Sequence, residues 1–116
     1  MDMRDIEEKM FAGNERAKLA FDIFADRVKK YIGSYAATLG TLDAIVFTAG
    51  IGENGWELRE QICDNMDVFG IKLDLETNQI KGVERVISAP ESKVAVLVVP
   101  TNEELMIARE TVRLAT

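Results

Sequence analysis

At 116 residues, with 47% hydrophobic and 29% charged side chains, the chain has room for one domain with one core and the balance of a soluble globular protein. A formal net charge of −6 excludes a general nucleic-acid surface but not a nucleotide, because a small phosphate ligand answers to local dipoles and one or two cations. No apolar run nears the ~20 residues that span a bilayer, and the acidic, polar first residues carry no secretory signal, so a cytoplasmic protein is expected.

The spacing predicts a short helix over residues 5–11, broken by Gly13, with Asn14 placed to cap a second helix. From Glu15 to Leu39 apolar residues recur at helical intervals (Ala17, Ala20, Phe21, Phe24, Val28, Tyr31, Ile32, Tyr35, Leu39), which predicts one long helix with a broad apolar face. Gly40 is a natural C′ residue, while Gly33 lies inside the pattern at a cost of about 1 kcal/mol against Ala and marks a candidate close packing contact. Residues 43–48 form a continuous apolar run, as in a strand buried on both faces of a parallel sheet. A helix is expected over about 55–66, with Asn54 and Glu57 at capping-box spacing and Leu58, Ile62 and Met66 on its inner face. Residues 71–74 and 79–82 read as paired extended pieces around a polar turn, Glu76-Thr77-Asn78, and 84–88 as another short strand. After the turn Ala89-Pro90-Glu91-Ser92, residues 93–99 are the second strong buried strand, stopped by Pro100. Thr101 and Glu104 repeat the capping-box spacing and open a helix to about Leu114.

This order predicts an α/β fold with at least some parallel strands, in which ligands collect beyond the carboxyl ends of the strands. The most informative junction is Ala44-Ile45-Val46-Phe47-Thr48-Ala49-Gly50-Ile51-Gly52-Glu53-Asn54, an apolar strand that runs into a glycine-bracketed turn and then a helix. Gly50 and Gly52 let backbone N–H groups approach a ligand without Cβ interference, and Asn54 opens a helix whose positive dipole end favours an anion. From the residues alone the junction is either a tight turn or a phosphate loop. Arg59, about one and a half turns further on, either reaches an anion or stands in solvent. Cys63 cannot form an internal disulfide and reads as a buried, inert thiol. With no histidine, acid–base or phosphoryl chemistry must run on carboxylates, arginines, amides and metal-bound water.

The run Phe47-Thr48-Ala49-Gly50-Ile51-Gly52-Glu53-Asn54 resembles the nucleotide loop of the acetate kinase family. The resemblance continues through Asp2-Met3-Arg4-Asp5, Gly13-Asn14-Glu15-Arg16-Ala17, Arg27-Val28-Lys29-Lys30-Tyr31-Ile32-Gly33, Phe69-Gly70-Ile71-Lys72-Leu73-Asp74 and the run from Val99 to Arg109, and so covers nearly the whole chain. Gly55 and Trp56 depart from the Ser-Pro type residues that often follow the loop, so Trp56 is expected to pack or lie at the surface, with base stacking as the alternative.

The resemblance implies a partial C-terminal lobe of the acetate/sugar kinase–actin (ribonuclease H-like) fold, a mixed sheet with flanking helices. Residues 1–116 would be one incomplete nucleotide-binding segment, with the N-terminal catalytic lobe absent. It implies transfer of a phosphoryl group between ATP and acetate with Mg²⁺, giving ADP and acetyl phosphate. Gly50, Ile51, Gly52, Glu53 and Asn54 would line the nucleotide, with Glu53 structural or turned away from phosphates that would repel it. Asp2, Met3 and Arg4 would border the adenosine, Asp2 at the ribose or base edge and Arg4 for stacking or phosphate. Glu103 would bind Mg²⁺ directly or through water, whereas Glu104 caps a helix. The acetate pocket, the main arginines and the catalytic aspartate come from earlier sequence in the family, so no catalytic residue is expected here and the chain alone should be inactive. A homodimer is expected through faces left open by the missing lobe. A propionate kinase segment and a stand-alone nucleotide-binding or assembly module are the alternatives.

Overall fold

The computed structural model describes residues 3–48, 55–80, 83–99 and 111–114; for Met3, Arg4 and 111–114 the description covers the backbone alone. Helix α1 (Met3–Phe11) is followed by α2 (Glu15–Leu39), whose bounds match those read from the apolar spacing. The capping chemistry explains both ends of α2. Asn14 accepts a hydrogen bond from the Ala17 N–H at 3.0 Å, and Gly40, at φ 80°, donates its N–H to the Ala36 carbonyl at 3.1 Å. Ala17, Phe21, Ala25 and Ile32 are buried along α2, with Ala20, Phe24 and Val28 beside them, and Ile6 and Met10 of α1 join the same core. Lys18–Asp22 and Asp26–Lys30 ion pairs, each four residues apart, run along exposed ground.

Among the described residues, four strands form one sheet in the order β2-β3-β1-β4, where β1 is Ala44–Phe47, β2 Arg85–Val86, β3 Ala95–Val98 and β4 Thr111–Leu114. β1 runs parallel to both its neighbours, with Ala44 opposite Ala95 on one side and Thr111 on the other; β2 pairs antiparallel at the outside of β3. The expected burial of β1 holds, since Ile45, Val46 and Phe47 are all buried. Helix α3 (Trp56–Cys63) and a 3-10 turn (Asp67–Phe69) follow β1.

Three expectations are corrected. Residues 75–78 form a single helical turn, α4 (Leu75–Asn78), instead of the tip of a hairpin; the Asp74 side chain accepts from the Glu76 and Thr77 N–H groups and so winds the chain into a helix. Leu73 bridges to Ser88, and of the expected partner strand 79–82 residues 81 and 82 lie outside the described residues. Residues 111–114 are strand β4, where a helix was expected, because β1 offers an open parallel edge there; the rest of that expected helix, 101–110, lies outside the described residues. α3 also ends three residues early, at Cys63, since Asp64 is extended and Asn65 takes φ 58°.

Two glycines differ in what they tolerate. A Cβ at Gly33 would meet the Phe69 ring at 3.4 Å, an ordinary contact, whereas one at Gly70 (φ 81°) would stand 2.9 Å from Lys93 Cβ. Urea denaturation should show Gly33→Ala neutral or stabilising by up to about 1 kcal/mol, and Gly70→Ala destabilising by about 1–3 kcal/mol.

Candidate functional site

The parallel pairing of β1 and β3 puts their carboxyl ends side by side. The Val99 N–H donates to the Phe47 carbonyl at 3.0 Å, so the ladder continues one residue past β3, and Thr48 is still buried there. From this edge the chain departs twice, into residues 49–54 after β1 and residues 100–110 after β3. Asp2, Gly50, Ile51, Gly52, Glu53, Asn54 and Glu103 lie outside the described residues. Met3 and Arg4 occupy the first turn of α1.

The chain re-enters described structure at Gly55, which is buried and is the N-cap of α3; its carbonyl accepts the Arg59 N–H at 3.0 Å. This corrects the expected capping box. Asn54 precedes the cap, Glu57 falls at the second helical position, and Gly55 has no side chain with which to cap.

Arg59 is corrected too. It is neither solvated nor at the surface but 1% exposed. Its Nε donates to Asn78 Oδ1 at 2.8 Å and its Nη2 to the Asn78 carbonyl at 2.6 Å. Asn78, fully buried, donates from Nδ2 to the Trp56 carbonyl at 2.9 Å. Asn78 had read only as part of a polar turn. Arg59 carried a legible signal: it stands four residues before Cys63 and three before Ile62, on the inward face.

Burial holds the Arg59 guanidinium below its usual range, to about 10, helped by the neighbouring Arg85 charge and opposed by Cys63, Glu57 and Glu7. It therefore stays a cation at neutral pH. Burial also pushes the Cys63 thiol up to about 12, against the lowering influence of Arg59 and Lys29, so the inert reading of this cysteine holds. Trp56 is half-buried at the first position of α3. Across the helices, Gln61 Nε2 donates to Asp22 Oδ1 at 2.8 Å, tying α3 to α2; this bond and the Lys18 ammonium hold the Asp22 carboxyl below its ordinary value. Among the described residues, no group of three or more metal-capable side chains comes together, and no helix is long and apolar enough to cross a membrane.

Parallel β1 and β3 at the centre of a mixed sheet, with α2 and α3 before and after β1, define an α/β segment. The chain belongs to the acetokinase family, whose sequence model matches residues 1–109. It is 62% identical over 112 residues to the acetate kinase of Dictyoglomus turgidum, covering 97% of this chain and 28% of that protein. With the acetate kinase of Pseudothermotoga lettingae it shares 56% identity over 110 residues, 95% of this chain and 27% of that one. The fold matches the crystal structure of Porphyromonas gingivalis acetate kinase with a TM-score of 0.82 at 50% identity, over 87% of this chain and 26% of that one. A propionate kinase from Francisella tularensis matches with a TM-score of 0.75 at 40% identity, over 94% of this chain and 28% of that one. The chain thus spans little more than a quarter of the length of these relatives.

The state of Cys63 gives a direct check. An aromatic disulfide reagent at pH 8 should leave the thiol unlabelled in the folded chain and label it fully in denaturant; rapid labelling without denaturant would contradict the buried, protonated thiol.

Proposed function

We propose that the chain is the C-terminal part of an acetate kinase and supplies its nucleotide wall. The family match over residues 1–109 supports this reading, and the parallel β1–β3 pair, which sends both motif-bearing segments off one edge, is the observation that carries it. Backbone amides at Gly50, Ile51 and Gly52 grip the polyphosphate of ATP or ADP. Asn54 contacts the adenosine side, Glu53 is turned away from the phosphates, and Asp2, Met3 and Arg4 border the ribose and base. Glu103 is the carboxylate for Mg²⁺, which neutralises phosphate charge when bound. In the full reaction an acetate oxygen bonds to the γ-phosphorus as the bond to the ADP oxygen breaks, so positioning and charge neutralisation supply most of the rate. The acetate pocket and the reacting aspartate and arginines belong to the remainder of the enzyme, so this chain alone binds nucleotide and does not turn it over. Propionate as acceptor is the second reading, favoured by the likeness to a propionate kinase.

The partner expected beside nucleotide is a second copy. α2 exposes a row of apolar side chains, Leu19, Ile23, Tyr31, Tyr35 and Leu39, which at steps of four residues winds about 40° round the helix per step, with the Tyr31 and Tyr35 rings stacked at 6.1 Å. This open apolar surface is what a second copy would cover.

Calorimetric titration should detect ATP and ADP binding that strengthens with Mg²⁺. Gly52→Val and Asn54→Ala should weaken it at least about tenfold, and Glu103→Gln should remove the Mg²⁺ effect. Absence of binding by the wild-type chain, or indifference to all three substitutions, would overturn the reading. Light scattering should show a dimer that becomes monomeric in an Ile23→Asp, Tyr31→Asp double variant; a wild-type monomer at high concentration contradicts the stripe's role.

A further inference from the structure

We infer that Asn78 and Arg59 are positioning residues for the nucleotide loop: together they fix where the chain leaving residue 54 enters α3. The inference rests on the nucleotide reading above for its function, but its geometry is independent of that reading.

The start of α3 lacks the usual side-chain cap, since Gly55 occupies that position. Asn78 braces the first turn from the side, through the turn's carbonyl and arginine and not through its free N–H groups. Its Nδ2 bonds to the Trp56 carbonyl, at the first helical residue, while its Oδ1 and backbone carbonyl take two bonds from Arg59, three residues further along the same helix. One side chain therefore clamps the first turn at both its ends.

Asn78 is in turn referenced to the sheet by an unbroken series of hydrogen bonds. Its N–H donates to the Asp74 carbonyl at 3.0 Å, the Asp74 N–H donates to the Ile87 carbonyl at 2.8 Å, and the Ile87 N–H donates to the Val96 carbonyl of β3 at 2.7 Å. The other end of the loop is also tied to β3, through the Val99 N–H on the Phe47 carbonyl. Both ends of segment 49–54 thus take their positions from the same strand. A loop that grips an anion with backbone amides needs this, because amides cannot be re-aimed by side-chain rotation; a shift of one end by an ångström misplaces every donor.

The cost of the arrangement points the same way. A buried guanidinium is costly to desolvate, and apolar residues of similar size often fill such a site at equal or better stability. A clamp assembled from directional bonds secures a defined position and not merely a filled core.

The test uses the 116-residue chain. Asn78→Asp keeps the acceptors for Arg59 but removes the donor to the Trp56 carbonyl, and Asn14→Ala serves as a control that removes the cap at the remote start of α2. Amide hydrogen exchange over residues 49–57 should accelerate about tenfold or more in Asn78→Asp and stay unchanged in Asn14→Ala, with β1 and β3 unaffected in both. The ATP dissociation constant should rise about tenfold in Asn78→Asp alone. Unchanged exchange in Asn78→Asp, or equal acceleration in the control, overturns the positioning role. If the wild-type chain binds no ATP, the nucleotide reading fails, and the exchange result still decides whether Asn78 positions the segment.

Discussion

The parallel registration of β1 between β3 and β4 is the constraint from which the remaining geometry follows. A strand flanked on both sides by parallel neighbours cannot return by a hairpin, so each connection must cross a face of the sheet. α2 delivers the chain into β1, and α3 with its following turns carries it away toward β3. Because the strands point the same way, the two segments that bear the family's loop motifs leave from adjacent positions on one edge. An antiparallel pair of the same composition would have sent them to opposite ends of the sheet.

Energetically the segment combines an apolar core with one costly polar island. Phe21, Ile32, Ile45, Phe47, Leu58, Ile62, Val96 and Val98 supply the burial that favours folding. Arg59 and Asn78 oppose it, and are tolerated because the hydrogen bonds between them, and from Asn78 to Trp56, replace much of the lost hydration. The island braces the first turn of α3 through the Trp56 carbonyl, where the N-cap Gly55 brings no side chain. Such a concentration of directional bonds behind a loop is where local consistency gives way to position, as binding segments often require.

Much of the fold was legible because its signals are local. Asn14, Gly40 and an apolar spacing that persists for 25 residues bound α2 closely, and the apolar runs marked β1 and β3 as buried strands. What escaped depends on longer-range facts. α4 arises from an Asp74 cap on a four-residue turn too short for any periodic pattern, β4 from an edge offered by β1, and the burial of Arg59 from a partner 19 residues away. The capping box at Asn54 and Glu57 misled by one residue, because Gly55 supplies the cap position with backbone alone. Of the candidate site, the sheet edge was legible and the Arg59–Asn78 frame was not, while the residues expected to touch nucleotide and metal rest on the likeness to acetate kinases and, Met3 and Arg4 apart, lie outside the described residues.

The proposed function sets a nucleotide at this sheet edge, and the described structure supplies a frame suited to it. The claim at the centre of this account is that a backbone loop between β1 and α3 takes the phosphates. Amide-resolved NMR titration of the isotopically labelled chain with ADP tests it most directly. The account predicts saturable shift changes concentrated at residues 50–57 and 101–104, with α1's far end and the exposed stripe of α2 silent. Saturable changes confined to other surfaces, or none up to millimolar ADP, would contradict it.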